Sequence, residues 1–466
     1  MEVIPIFIGR TNELKKLTSF YETQKFEMVI LYGRRRVGKT KLLTEFIKDK
    51  NAIFFVAEEN NDLLNKEKFT KVVLGHYKEN INVKFENWED LFSYISSKST
   101  DEKLIIALDE FPYIALSNPS FMSMLQNVID HDLSNRNIML ILCGSSIRFM
   151  EDELVSHKSP LYGRKTGQMK LLPLQYFDVK NFFPNYSSEE QFKVYSILGG
   201  IPHYLIQFNP NLSIDENIIR YCLNTVSLFY DEPKNLLHQE LRSPTVYNAI
   251  LEAIAGGASK INDISTKIGE TPQKTAKYLQ SLLELEIVKK STPVDMGDSR
   301  KTLYSLGDSL FEFMYRFVYK YRSLIEQDLG EALYLSGLKD EINAFYGKQF
   351  ELVCHQYLLK KNQTAQLEFL VEQFGKWWGG NPESKKQEEI DIVGLSKTTA
   401  LYGACQFKNE LVGIDVLKTL IERSNLIPRE NRYYYIFSKT GFTSELTTEA
   451  IHQTNIRFLS LEDLYV

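Results

Sequence analysis

Gly33, Gly38, Lys39 and Thr40 stand in "YGRRRVGKTKLL" as a glycine, four residues, then Gly-Lys-Thr, the spacing of a loop that wraps phosphate. Glycines there let the backbone curl until its N–H groups and the start of the next helix face an anion. Lys39 would reach the β and γ phosphates of ATP, and the Thr40 hydroxyl would ligate Mg²⁺. Arg34, Arg35, Arg36 and Val37 lie inside the loop and Lys41 follows it; the arginines read as loop surface first and ligand contacts second. In "KLIIALDEFPYI" an apolar run ends in Asp109 and Glu110. Asp109 would hold the magnesium through water, and Glu110 would orient or deprotonate an attacking water. Ser145, at the end of "NIMLILCGSS", is placed beside the γ phosphate, a weaker assignment because Ser after Gly is also ordinary turn chemistry.

A second constellation lies near the C-terminus. Glu351 falls in the amphipathic segment "YGKQFELVCHQYLLKK", Glu389 and Asp391 in "EEIDIVGL", and Gln406 and Lys408 in "LYGACQFKNELVG". Carboxylates on a helix and a strand, with a cation on the next strand, are groups that cut phosphodiesters. In the PD-(D/E)XK nuclease pattern that this segment resembles, a second acid and a lysine are expected where Ala404 and Gln406 stand. Losing one such group costs about 10² to 10³ in rate, and losing two costs more. Gln406 and Lys408 could serve instead, but they are displaced by roughly 7 Å along the strand. A bulge or register change against "EIDIV" would have to absorb that shift. Glu389 shares its strand face with Asp391 and could replace a lost carboxylate.

These residues need elements to hold them. "FEMVILYG", "KLIIALDE" and "NIMLILCG" read as buried strands, the first running directly into the phosphate loop and a helix. From about 245, "PTVYNAILEAIAGG", "KINDISTKIG" and "TPQKTAKYLQSLLELE" read as three short helices, followed by a hairpin around "DMGD". That order is a winged helix-turn-helix. Lys274, Lys277, Arg300 and Lys301 stand where phosphate contacts would fall. Yet residues 246 to 306 carry eight Lys or Arg against seven Asp or Glu, so DNA contact and a packing role both remain open. The aromatic helix "SLFEFMYRFVYKYRSLIEQ" reads as packing surface before it reads as a base-stacking platform.

The whole composition sets bounds. At 466 residues the chain calls for two to four domains. With 43% hydrophobic and 25% charged residues it reads as a globular chain, and a net charge of -5 excludes a surface basic throughout. Four scattered cysteines form neither a zinc pattern nor a disulfide framework, which fits a reducing cytoplasm. No run is long enough to span a bilayer.

"FIGRTNEL", "YGRRRVGKT", "LDEFPYI", "CGSSIRFM", "SPLYGR" and "GGIPHYL" occur in an order that resembles the archaeal-type ATPases of the AAA+ and signal-transduction class. That resemblance implies a parallel sheet with a helical lid. It also implies that Gly9 and Arg10 line the adenine side, that Arg164 is an arginine finger, and that Pro202 is a lid contact. A structural role for Arg164 stays open. The C-terminal motifs "FE", "WW", "EIDIV" and "QFKNELVG" resemble the PD-(D/E)XK nuclease superfamily. The expected fold is therefore α/β and multidomain: a P-loop ATPase with lid over 1–235, a winged helix over 236–330, and a restriction-endonuclease-like α/β domain over 331–466. The expected function is an ATP-hydrolysing switch, homo-oligomeric in its ATP state, with a degenerate nuclease-like module. The competing expectations are an ATP-driven, metal-dependent DNA-processing nuclease for defence or a mobile element, and a nucleotide-dependent scaffold. The implied partners are ATP or ADP, Mg²⁺, and DNA through the winged helix and C-terminal domain.

Overall fold

The computed structural model describes residues 7–79, 83–295, 301–450 and 453–465. The chain divides into two compact units, Met1–Leu174 with Ile201–His203, and Gln175–Gly200 with Tyr204–Val466. Packing thus places one boundary near 174, whereas the module boundaries expected from sequence fall at 235 and 330.

Five strands build the sheet of the first unit: β1 (Glu27–Tyr32), β2 (Ala52–Val56), β3 (Leu104–Asp109), β4 (Ile138–Gly144) and β5 (Gly167–Lys170). Their order is β2-β3-β4-β1-β5 and every pairing is parallel. Residues of β1, β3 and β4 are buried throughout, as expected of strands covered on both faces. Because Tyr32 is level with Gly144, and Ala107 and Leu108 are level with Ile141 and Leu142, the C-terminal ends of β1, β3 and β4 open on one edge of the sheet. Ligands bind at that edge in open parallel sheets.

In the second unit, helices Pro244–Ala255, Ile261–Ile268 and Pro272–Glu284 precede an antiparallel pair, β6 (Val288–Ser291) and β7 (Leu303–Leu306). Thr271 caps the third helix through Lys274 N–H, and Pro272 occupies its first turn, where no donor is needed. The buried faces of these helices share one core with Phe311 and Tyr315. Phe313 and Phe317 also pack inward, against Phe345, so this aromatic segment is core.

A second sheet completes this unit. β8 (Gln373–Gly380), β9 (Gln387–Leu395), β10 (Thr399–Gln406), β11 (Asn431–Ser438) and β12 (Ile456–Ser460) lie in the order β12-β11-β10-β9-β8. The β8–β9 and β9–β10 pairs are antiparallel, and the remainder are parallel. Helix Ile414–Ser424 crosses over between β10 and β11, and helix Lys339–Gln363 precedes the sheet. Between β8 and β9 the register slips: Gly375 faces Val393 but Trp377 faces Ile390, so Lys376 opposes two residues, Asp391 and Ile392. This bulge falls inside the "EIDIV" segment.

Candidate functional site

At the end of β1 the chain turns through Gly33 and enters helix Lys39–Ile47 after Gly38, which sits at φ 95° in left-handed geometry. Gly33 has φ 155°, and a carbon added to it would lie 2.4 Å from the Leu171 carbonyl oxygen, so the loop passes too close to its neighbour for any side chain. The buried Lys39 ammonium donates to the carbonyls of Gly33 and Arg34 at 2.8 and 3.0 Å. Burial draws its pKa below the usual lysine value, against the opposing pull of Cys143, Glu110 and Asp109.

Thr40 Oγ1 donates to Asp109 Oδ2 at 2.5 Å. The other Asp109 oxygen accepts the Glu110 N–H at 2.9 Å, and Glu110 itself sits at φ 50°, a strained geometry for a residue with a side chain. Glu110 Oε2 accepts from the Ser145 hydroxyl at 2.8 Å and from the Ser145 N–H at 3.2 Å. Ser145 therefore holds Glu110. The buried Cys143 thiol bonds to Asp109 and is pushed well above its usual pKa, mainly by burial; no sequence signal marked it.

Arg10 donates to the Val37 carbonyl at 2.9 Å and pairs with Glu13 at 3.1 Å, which fixes the segment containing Gly9 against the loop. Arg35 reaches the Tyr113 hydroxyl at 3.4 Å. Pro202 comes within 3.8 Å of the position a Gly38 side chain would take. Thr40 and Lys41 are exposed. Arg164 makes a two-pronged pair with Asp130, at 3.0 and 2.7 Å.

In the C-terminal sheet, Glu351, Glu389, Asp391, Gln406 and Lys408 line one cavity of about 450 Å³ together with Arg423. Sequence reasoning missed a sixth group, Lys376, which lies on β8, outside the strands that carried the motif. Its ammonium is 3.1 Å from Glu351 and 3.4 Å from Glu389. Burial alone would lower the Lys376 pKa, but those two carboxylates outweigh it and hold the value above normal. Asp391 accepts the Cys405 N–H at 2.9 Å, and burial, with Glu351 nearby, pushes it up to about 6. The free Cys405 thiol hydrogen-bonds to the free Cys354 thiol on helix Lys339–Gln363, and Phe407 packs against Phe350 of that helix. Glu388 pairs with the cavity residue Arg423 at 2.8 Å. Among the described residues, no three His, Cys, Asp or Glu side chains converge as a metal-binding group.

A parallel sheet whose first strand feeds the Gly33–Lys39 loop, with Asp109 at the end of β3 bonded to Thr40, defines a P-loop ATPase domain. Residues 7–208 match an ATPase domain family predominantly from Archaea, and residues 314–419 match a family of archaeal and bacterial proteins of unknown function. The chain belongs to the archaeal-type ATPases, in one family with an uncharacterized protein of Methanocaldococcus jannaschii that is 32% identical over 442 residues, 93% of this chain and 96% of that one. An uncharacterized ATP-binding protein of the same organism is 45% identical over 47 residues, 10% of this chain and 80% of its own length. A Walker-type ATPase of Pyrococcus abyssi shares the fold, with a TM-score of 0.50 and 21% identity over 66% of this chain and 96% of that chain. Among the described residues no helix is long and apolar enough to cross a membrane.

Proposed function

We propose that the chain is an ATP-hydrolysing switch whose turnover in the first unit alters what the second unit presents to a partner. One observation carries this reading: residues from two strands and a helix meet as the Lys39, Thr40, Asp109, Glu110 and Ser145 group. Thr40 Oγ1 and Asp109 Oδ2, 2.5 Å apart, are hard oxygens of the kind Mg²⁺ takes; Thr40 would ligate that ion and Asp109 would hold it through water. Held there, Mg²⁺ would supply positive charge to the β and γ phosphates. Lys39 binds the same phosphates and Gly38 opens the helix N-terminus toward them. Glu110, fixed by Ser145, orients the water that attacks the γ phosphorus and takes its proton. Arg164 acts on the developing charge from a neighbouring copy in an ATP-state oligomer. The test is phosphate release: Lys39→Ala should abolish it, and unchanged turnover would remove the assignment.

The helices 244–284 with β6 and β7 are a winged helix in this reading, and its wing packs rather than reads DNA. Val294, just after β6, donates its N–H to the Lys376 carbonyl at 3.0 Å, and its side chain is buried in the core of the second sheet. Asp295 pairs with Arg429 at 3.0 Å. Lys274 and Lys277 are exposed on the third helix, Lys274 paired with Glu270 at 3.2 Å; Arg300 lies outside the described residues. The C-terminal domain is nuclease-like and degenerate.

A second reading, metal-dependent cleavage of DNA, is favoured by Gln406 and Lys408 lining the same cavity as Asp391; the bulge in "EIDIV" lies against β8, while β9 pairs with β10 in regular register from Leu395–Ala400 to Ile392–Gly403. Incubation with plasmid and single-stranded DNA in Mg²⁺ or Mn²⁺ decides between them. Cleavage that Asp391→Ala abolishes would overturn the degenerate reading.

A further inference from the structure

Three carboxylates, Glu351, Glu389 and Asp391, line the wall of one small cavity, and like charges so placed favour a cation among them. Nucleases meet this need with a divalent metal. Here one ammonium stands between two of the three, 3.1 Å from Glu351 and 3.4 Å from Glu389. Two features fix it there. On one side of β8 the bulge sets Lys376 opposite both Asp391 and Ile392. On the other side the Lys376 carbonyl accepts the Val294 N–H at 3.0 Å, with Val294 anchored in the core. The backbone of Lys376 is therefore held from both edges, and its side chain starts from a fixed point.

We infer that Lys376 is a built-in cation standing, in charge and in place, where a divalent metal would bind, so that the C-terminal cavity is a neutralised, metal-independent site. The inference rests on the nuclease-like reading of the domain. The donor set agrees with it. Position 404 is alanine, Gln406 is neutral, and Glu388 is committed to Arg423. A divalent ion entering beside Glu351 would meet the ammonium at a few ångströms, where two like charges in a partly buried site repel strongly. To admit the ion, Lys376 would have to give up both carboxylates. Removing the ammonium should instead leave Glu351 and Glu389 without their ion-pair partner, a latent metal site.

The full-length chain, free of nucleotide, is titrated with Mn²⁺ while free Mn²⁺ is followed by electron paramagnetic resonance. Wild type should take up no Mn²⁺ that Asp391→Asn removes. Lys376→Met should gain one Mn²⁺ per chain, bound at least tenfold more tightly than by wild type, and Asp391→Asn in the same background should abolish it. Lys376→Arg, which keeps the charge, should remain like wild type. A Mn²⁺ bound by wild type and lost in Asp391→Asn overturns the inference, a result that needs no variant of Lys376 to fold. A Lys376→Met chain with wild-type circular dichroism and no gained Mn²⁺ overturns it alone. Metal-dependent DNA cleavage lost in Asp391→Ala overturns it together with the degenerate reading.

Discussion

The Thr40 hydroxyl donates to the Asp109 carboxylate across 2.5 Å, joining residues 69 positions apart. The contact forms because β1 and β3 both flank β4 and end on one edge of the sheet, which brings the start of helix Lys39–Ile47 to the end of β3. Glu110 and Ser145 extend this contact along the same edge of the sheet.

Replacing Glu110 by Gln should lower kcat for ATP hydrolysis by ~10² to 10³ while leaving nucleotide affinity within about twofold, because the group acts on the attacking water. Ser145→Ala should lower kcat less, with KM unchanged, since it only loosens Glu110. Phosphate release and the binding of a fluorescent ATP analogue read the two effects separately.

Gly33→Ala should destabilise the first unit by about 1 to 3 kcal/mol, since the new carbon would lie 2.4 Å from the Leu171 carbonyl oxygen at a backbone angle that disfavours any side chain. At Gly163 an added carbon meets nothing within 4 Å, so Gly163→Ala is the control. Thermal unfolding of both variants compares them directly. Equal midpoints would show that the loop can shift away from Leu171.

Arg164 is tied to Asp130 within its own unit. Arg164→Ala and Asp130→Ala should therefore change the unfolding midpoint alike and by little, since an ion pair this exposed contributes about 1 kcal/mol or less. Turnover should fall only in Arg164→Ala, by about a thousandfold, and only at protein concentrations where the chain self-associates. Equal turnover in both variants at every concentration would assign Arg164 a structural role.

Asp391 titrates at about 6 in the folded chain, above its ordinary 3.8. The folded state thus binds the extra proton between those values, and stability from this group rises as pH falls from about 6 toward 4. A rise from 3.8 to about 6 corresponds to about 3 kcal/mol, an upper figure for a carboxylate this near a cavity. Asp391→Asn should be more stable than wild type at pH 7, and that advantage should vanish near pH 4. Chemical denaturation of both proteins across pH 4 to 7 tests it, and a difference independent of pH would show that the carboxylate is not raised.

How much of this was legible in the sequence depends on how local the determinants are. The phosphate loop was legible because Gly33, Gly38, Lys39 and Thr40 are close neighbours in one strand–turn–helix, and the acidic pair because Asp109 and Glu110 end an apolar strand. The three helices and hairpin of 244–306 were legible from periodicity and from Thr271 and Pro272. The cavity of the second unit was half legible. Glu351, Asp391, Gln406 and Lys408 could be named, but the slip of β8 against β9 that sets Lys376 opposite Asp391 could not.

By itself, the sequence determined a nucleotide loop, an acidic strand end and a C-terminal group short of one acid and one lysine, all properties of residues close along the chain. Only tertiary structure decided that Ser145 holds Glu110, that Val294 leaves the hairpin to pack on β8, and that Lys376 stands between Glu351 and Glu389. Each depends on strand pairing across tens of residues, where a slip of one position turns every side chain to the other face. No local spacing encodes that register; the packing of both sheet faces selects it.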